Sequence, residues 1–181
     1  MKRDHSSILL VNILLFAVAL AALAIDQVSK RIVEQTIPLG TSVPAIEALF
    51  PYFSLTHIQN TGAAFSLFQN GNIFFIIIAI IVSAMIVYYA PRLPPEDHLS
   101  RVALGLQLAG ALGNLIDRLR NGYVIDFLHV RVPEIGFDWP VSNVADICIV
   151  TGVVLLIVAS FRREQPKNEE ASQPANGAAG E

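Results

Sequence analysis

Apolar residues run almost unbroken from Ile8 to Ile25, from Ile73 to Ala90 and from Val141 to Phe161, and with more interruption from Leu99 to Ile116. A helix needs about 20 mostly apolar residues to cross the hydrocarbon core of a bilayer. The pattern therefore predicts four membrane-spanning helices, about 8–25, 73–90, 99–116 and 141–161. The third is the least apolar, because Arg101, Gln107 and Asn114 lie inside it. Its small residues Gly105, Ala109 and Gly113 recur every four positions, a spacing that lets backbones approach closely in lipid. Two segments on the other side of the spans are strand-like. "YFSLTHI" within 36–70 and "YVIDFLHVRV" within 120–139 are rich in β-branched and aromatic residues and are bounded by proline and glycine. They are expected to form a small sheet at the outer membrane surface, paired with each other or as independent loops.

Composition agrees. The chain of 181 residues is 54% hydrophobic and 15% charged, against about 25% charged in soluble domains. One domain is expected over 1–163, with 164–181 a polar, disordered tail on the cytoplasmic side. "MKRDH" followed by an apolar run resembles a secretory signal, but the run leads into polar residues, so it is read as an uncleaved first span. Lys2, Arg3, Arg162 and Arg163 flank the terminal spans, which favours both termini inside. The net charge of −3 and the lack of a basic tract give no reason to expect nucleic acid. A single cysteine, Cys148, permits no internal disulfide or cysteine zinc cluster. The four histidines lack metal-ligand spacing, so no metal or cofactor is expected.

The informative residues are polar ones at the outer ends of the spans, where a charge in the bilayer costs at least a few kcal/mol. Asp26 and Lys30 are four apart on one helical face and are expected to pair, as an interfacial anchor for the helix end. Asn114, Asp117 and Arg118 share a face; an arginine–carboxylate pair there is either structural or orients something in a site. Pro140 fits a helix start, with Ser142 or Asn143 as cap, and Asn143 and Asp146 then share a face. Asp126 lies on the second strand-like segment and reaches the same interface. Two close carboxylates share one proton. One then serves as general base on a water and the other donates to a carbonyl oxygen, which is what peptide hydrolysis requires without a metal or a covalent nucleophile. Neither G-x-S-x-G nor a Ser-His or Cys-His arrangement is present. Cys148 is read as a small buried apolar residue.

"DQVSK" at 26–30, "NTGAAF" at 60–65, "GALGNLIDR" at 110–118, "VIDF" at 124–127 and "NVAD" at 143–146, in this order on a four-span frame, resemble the motif blocks of the lipoprotein signal peptidases. The resemblance covers about residues 8–161. It implies a bacterial inner-membrane aspartic endopeptidase, with its site near the periplasmic face, that cuts a lipid-modified prolipoprotein just before the lipidated cysteine. It implies Asp126 and Asp146 as the catalytic dyad, Asn114 and Arg118 on the substrate backbone, and Asn60, Gly62 and Asn143 beside them. Asp26, Lys30, Ala64, Phe65, Gly110 and Asp117 take supporting places. It also implies a lid in the first outer segment; membrane lipid is the expected surroundings, and a monomer is expected. Ser142 departs from the pattern, which carries phenylalanine there. The Gly105–Ala109–Gly113 face is a candidate groove for the apolar signal peptide. A proton-coupled transporter would need polar groups spaced across the membrane, and here they gather at one end; a scaffold would not need the carboxylate pair.

Overall fold

The computed structural model describes residues 5–62 and 71–172. The elements are α1 (His5–Thr36), β1 (Ser42–Pro44), β2 (Phe53–Asn60), α2 (Gly71–Tyr89), α3 (His98–Asn121), β3 (Val124–Val132), β4 (Phe137–Asp138) and α4 (Val144–Ser172). Each helix is long and apolar enough to span a bilayer. Their outward faces are hydrocarbon: Leu20 is 70% exposed and Val150 63%, an arrangement that suits lipid rather than water.

The helices outrun the apolar stretches that announce them. α1 continues past Ile25 to Thr36, because the polar residues there find partners inside the protein. α3 begins where the Asp97 carboxylate accepts from the Ser100 amide at 3.0 Å. It ends at Gly122, whose φ of +81° suits glycine, with the Gly122 amide returning to the Arg118 carbonyl. Arg101 is buried, and its guanidinium donates to the Leu93, Pro94 and Asp97 carbonyls. That gives partners to a cation lying inside the third apolar stretch. The expectation of a disordered tail over 164–181 is corrected for 164–172, where the α4 backbone stays helical. Extending an existing helix is far easier than nucleating one, and the glutamates, Gln165, Lys167 and Ala171 are good helix formers that offset the backbone hydrogen bond Pro166 removes. The remainder, 173–181, lies outside the described residues.

α3 is the central helix: 61% of its spanning window is buried, against 17–28% in the other three. Its glycines are the reason that neighbours approach so closely. A Cβ at Gly105 would lie 2.6 Å from the Leu15 carbonyl of α1, and one at Gly113 would lie 2.5 Å from Asp26 Oδ2. A Cβ at Gly110 would run into the Ala145 carbonyl of α4. The Gly105–Ala109–Gly113 face is therefore filled by the protein's own helices, with Ala109 1% exposed, and it is not a substrate groove.

The sheet is antiparallel in the order β1-β2-β3-β4, so the two strand-like segments do pair. Along β2 and β3 the register steps from Leu55↔Leu128 to Ile58↔Asp126. Thr56 and His57 thus face the single residue Phe127, a bulge of the kind that re-aims side chains. Ile125 and Phe127 pack with Val33 and Ile37 at the end of α1. Alternation along the strand then turns Asp126 to the opposite face.

The glycine packing predicts that Gly110→Val, which forces a branched side chain against α4 backbone, costs about 1–3 kcal/mol. Gly122→Ala meets no atom within 4 Å and carries only the left-handed backbone penalty, about 1–2 kcal/mol. Thermal unfolding in detergent should rank Gly110→Val as the more damaging; the reverse order would contradict close α3–α4 packing.

Candidate functional site

Asn143 is where the site begins. It is fully buried and is the residue just before α4, so it caps that helix, while Ser142 does not. Asn143 Oδ1 accepts from the Asp146 amide at 2.9 Å, and Asp146 Oδ2 accepts in return from the Asn143 amide at 3.3 Å. This is a capping box with aspartate at its third position. Ser142 instead pairs with β3: its carbonyl accepts from the Phe127 and Leu128 amides at 2.8 and 2.7 Å, and its amide donates to the Leu128 carbonyl at 3.0 Å. The backbone makes these bonds, so serine in place of phenylalanine leaves the joint intact.

The same asparagine reaches Asp126. Asn143 Nδ2 donates to Asp126 Oδ1 at 2.7 Å and to Asn114 Oδ1 at 3.2 Å. Asn60, at the end of β2, donates to Asp126 Oδ2 at 2.8 Å, and Asn114 Nδ2 donates to Asp146 Oδ1 at 2.8 Å. Three asparagines thus hold two carboxylates in one hydrogen-bonded cluster. Asp126 is buried and Asp146 half-buried. Burial pushes the Asp126 carboxyl up to about 6; the Asn60 bond opposes this, the charge of Asp146 adds to it, and the Asn143 bond and the Lys30 charge oppose it.

Behind the cluster lies a buried ionic network. Lys30 Nζ stands 2.9 Å from Asp26 Oδ2 and 2.9 Å from Asp117 Oδ2, and it donates to Asn114 Oδ1 at 3.1 Å. Asp26 and Lys30 are 1% and 2% exposed, so the expected interfacial anchor is corrected to an interior bridge between α1 and α3. Asp26 Oδ1 also accepts from the Ala145 amide at 2.8 Å, so a carboxylate from α1 caps the first turn of α4, where negative charge is favoured. Asp117 pairs with Lys30, and its Oδ2 also accepts from the Ile125 amide at 3.3 Å. Arg118 makes no ion pair among the described residues. Its Cζ lies 4.8 Å from the centre of the Phe75 ring, and Nη1 donates to the Asn114 carbonyl.

Asp146, Asn114 and Arg118 open onto a cavity of about 360 Å³ between α2, α3 and α4. On α3 its floor is the stripe Gln107, Ala111, Asn114 and Arg118, which the helical repeat places on one face. Gly62 stands at the outer rim: its amide donates to Asn60 Oδ1 at 2.8 Å, its φ is +74°, and a Cβ there would strike Phe75 at 2.7 Å. Gly110 lies away from the cluster, at the α3–α4 contact. Ala64, Phe65 and the rest of 63–70, where a lid would follow β2, lie outside the described residues.

Three participants escaped the sequence reading. Gln27 donates to Asp26, to Asp117 and to the Gly113 carbonyl. Phe75 lies under Arg118, and the Ala145 amide meets Asp26. Gln27 sat inside a quoted motif and was the readable signal; an aromatic in an apolar span and a backbone amide carry none.

The family model described as Signal peptidase (SPase) II matches residues 18–162. Proteins named lipoprotein signal peptidase are 42% identical to the chain: one from Moorella thermoacetica over 156 residues, 86% of this chain and 96% of that protein, and one from Geobacter sulfurreducens over 154 residues, 83% and 93%. Two solved structures described as a bacterial membrane enzyme superpose with TM-scores of 0.68 and 0.72, at 30% and 34% identity. They cover 92% and 80% of this chain, and the chain covers 94% and 90% of theirs.

The ionic network predicts that Lys30→Met leaves two buried carboxylates without their cation and destabilises the protein by about 3–5 kcal/mol. Adding Asp26→Asn should recover part of that loss. Unfolding free energies that simply add across the two changes would contradict a coupled network.

Proposed function

We propose that this chain, which belongs to the signal peptidase II family, removes the signal peptide from diacylglyceryl-modified prolipoproteins by cutting just before the lipidated cysteine. Four apolar helices and the family make it a multi-pass bacterial membrane protein. The observation that carries the mechanism is Asn143 donating from its side chain to Asp126 and from its backbone to Asp146, at the mouth of a cavity between three spans. In our reading the pair is the catalytic dyad of an aspartic endopeptidase.

The chemistry follows from how the two carboxylates are held. Asp146 opens onto the cavity beside Asn114 and Arg118, so it serves as base on a water. Asp126, whose carboxyl is pushed up to about 6, holds the shared proton and donates it to the scissile carbonyl oxygen as hydroxide attacks the carbon. The tetrahedral intermediate then collapses, the C–N bond breaks, and the departing cysteine nitrogen takes a proton from the pair. Asn114 and Arg118, on the cavity floor, are placed to hold the substrate backbone, with Asn60 and Gly62 at the rim. The dyad lies at the outer end of the spans, so a lipidated cysteine can present its bond while its acyl chains stay in the bilayer. In our reading the site lies at the periplasmic face of the inner membrane, both termini are in the cytoplasm, and the protein works as a monomer.

Purified protein in detergent should shorten a diacylglyceryl-modified prolipoprotein, and Asp126→Asn or Asp146→Asn should slow this by at least about 10³-fold. Full-rate cleavage by either variant would remove the dyad assignment. A second expectation concerns pH. Activity needs one proton on the pair, so the rate should fall as rising pH takes the proton from Asp126. The Asn60 bond favours the ionised form of Asp126. Asn60→Ala should therefore raise that group's pKa and carry the alkaline limb of the normalised rate profile to higher pH. A limb that stays put or moves down would contradict the assigned proton.

A further inference from the structure

The α3 stripe that floors the cavity runs Gln107, Ala111, Asn114, Arg118. Its upper half belongs to the proposed catalytic cluster. Gln107 does not: it is seven residues from Asn114, about 10 Å deeper along the helix. The walls at that depth are hydrocarbon, with Ala79 and Val82 from α2 and Ile149 and Val153 from α4. Gly152 leaves room for the Gln107 stem, since a Cβ there would lie 2.6 Å from Gln107 Cγ. No hydrogen-bond partner meets the Gln107 amide among the described residues, and the side chain is half-buried and open to the cavity. An amide surrounded by hydrocarbon is costly unless something pairs with it, and the apolar walls offer nothing. The partner must come from the occupant.

We propose that Gln107 is a specificity residue for the signal peptide, and that it hydrogen-bonds a serine or threonine hydroxyl in the apolar segment about two helical turns before the cleaved bond. The inference rests on the peptidase reading above. A hydroxyl entering the cavity loses water, as does the amide, and pairing the two restores what both lose. An alanine at that place leaves the amide alone, and a site built to hydrogen-bond a substrate group discriminates against the analogue that lacks it.

The test uses the full chain in detergent and synthetic diacylglyceryl-cysteine peptides. A serine is moved one position at a time through the apolar segment, each peptide being matched by its alanine counterpart. Wild type should show a kcat/KM ratio of serine to alanine of about fivefold to tenfold, peaking at one position about seven residues before the bond. Gln107→Leu and the near-isosteric Gln107→Met should bring that ratio to about one. A flat wild-type scan, or a peak that persists in an active variant, overturns the inference and leaves the peptidase reading standing. Wild type that cuts none of the peptides overturns the peptidase reading and this inference with it. The wild-type scan decides even if neither variant folds.

Discussion

Lys30 is the buried cation on which the sheet end of the helix bundle depends. Its ammonium is held by Asp26 from its own helix and by Asp117 from α3, at 2.9 Å each, and it spends its remaining donor on Asn114 Oδ1. That last bond fixes which end of the Asn114 amide is which: the oxygen faces the lysine, so the nitrogen must face Asp146. Asp26, once paired, offers its other oxygen to the first turn of α4. A single ammonium thereby couples the packing of three helices to the orientation of a carboxylate it never touches. Lys30 and Asp26 are buried, so water cannot stand in for a missing partner and the protein itself has to satisfy them.

The glycines of α3 make this network possible. Asp26 approaches Gly113 so closely that any side chain there would displace its carboxylate. Gly110 lets the Ala145 backbone sit against α3 just where Asp26 meets the Ala145 amide. Close packing and polar satisfaction are the same requirement here. Only helices in near contact can share hydrogen bonds through such short side chains, and those bonds hold in place helices that hydrocarbon packing alone would leave free to slide.

Much of this was legible in the chain because its signals are local. Hydropathy marked four spans, β-branched and aromatic residues marked β2 and β3, and Pro140 announced a helix start with Asn143 as one of two candidate caps. The failures are equally physical. Asp26 and Lys30 suggest an interfacial anchor because a spacing of four reports a shared helical face and says nothing of what covers it. The Gly105–Ala109–Gly113 face was offered to a substrate, although small residues mark only a close approach and do not name the neighbour. The bond from the Ala145 amide to Asp26 spans 119 residues of sequence and uses a backbone group, so no side-chain pattern could announce it. The true cavity is bounded by α2, whose near-uniform hydrocarbon hides which of its faces looks inward.

The capping box has a mechanical corollary. Asp146 is bonded to the amide of the residue whose side chain starts its helix, so swinging aside would break the return bond of the capping box. It behaves as a fixed anvil. The opposite carboxylate is held no less firmly, by Asn60 and Asn143 at 2.8 and 2.7 Å, so a guest in the pocket has to fit itself to two stationary groups.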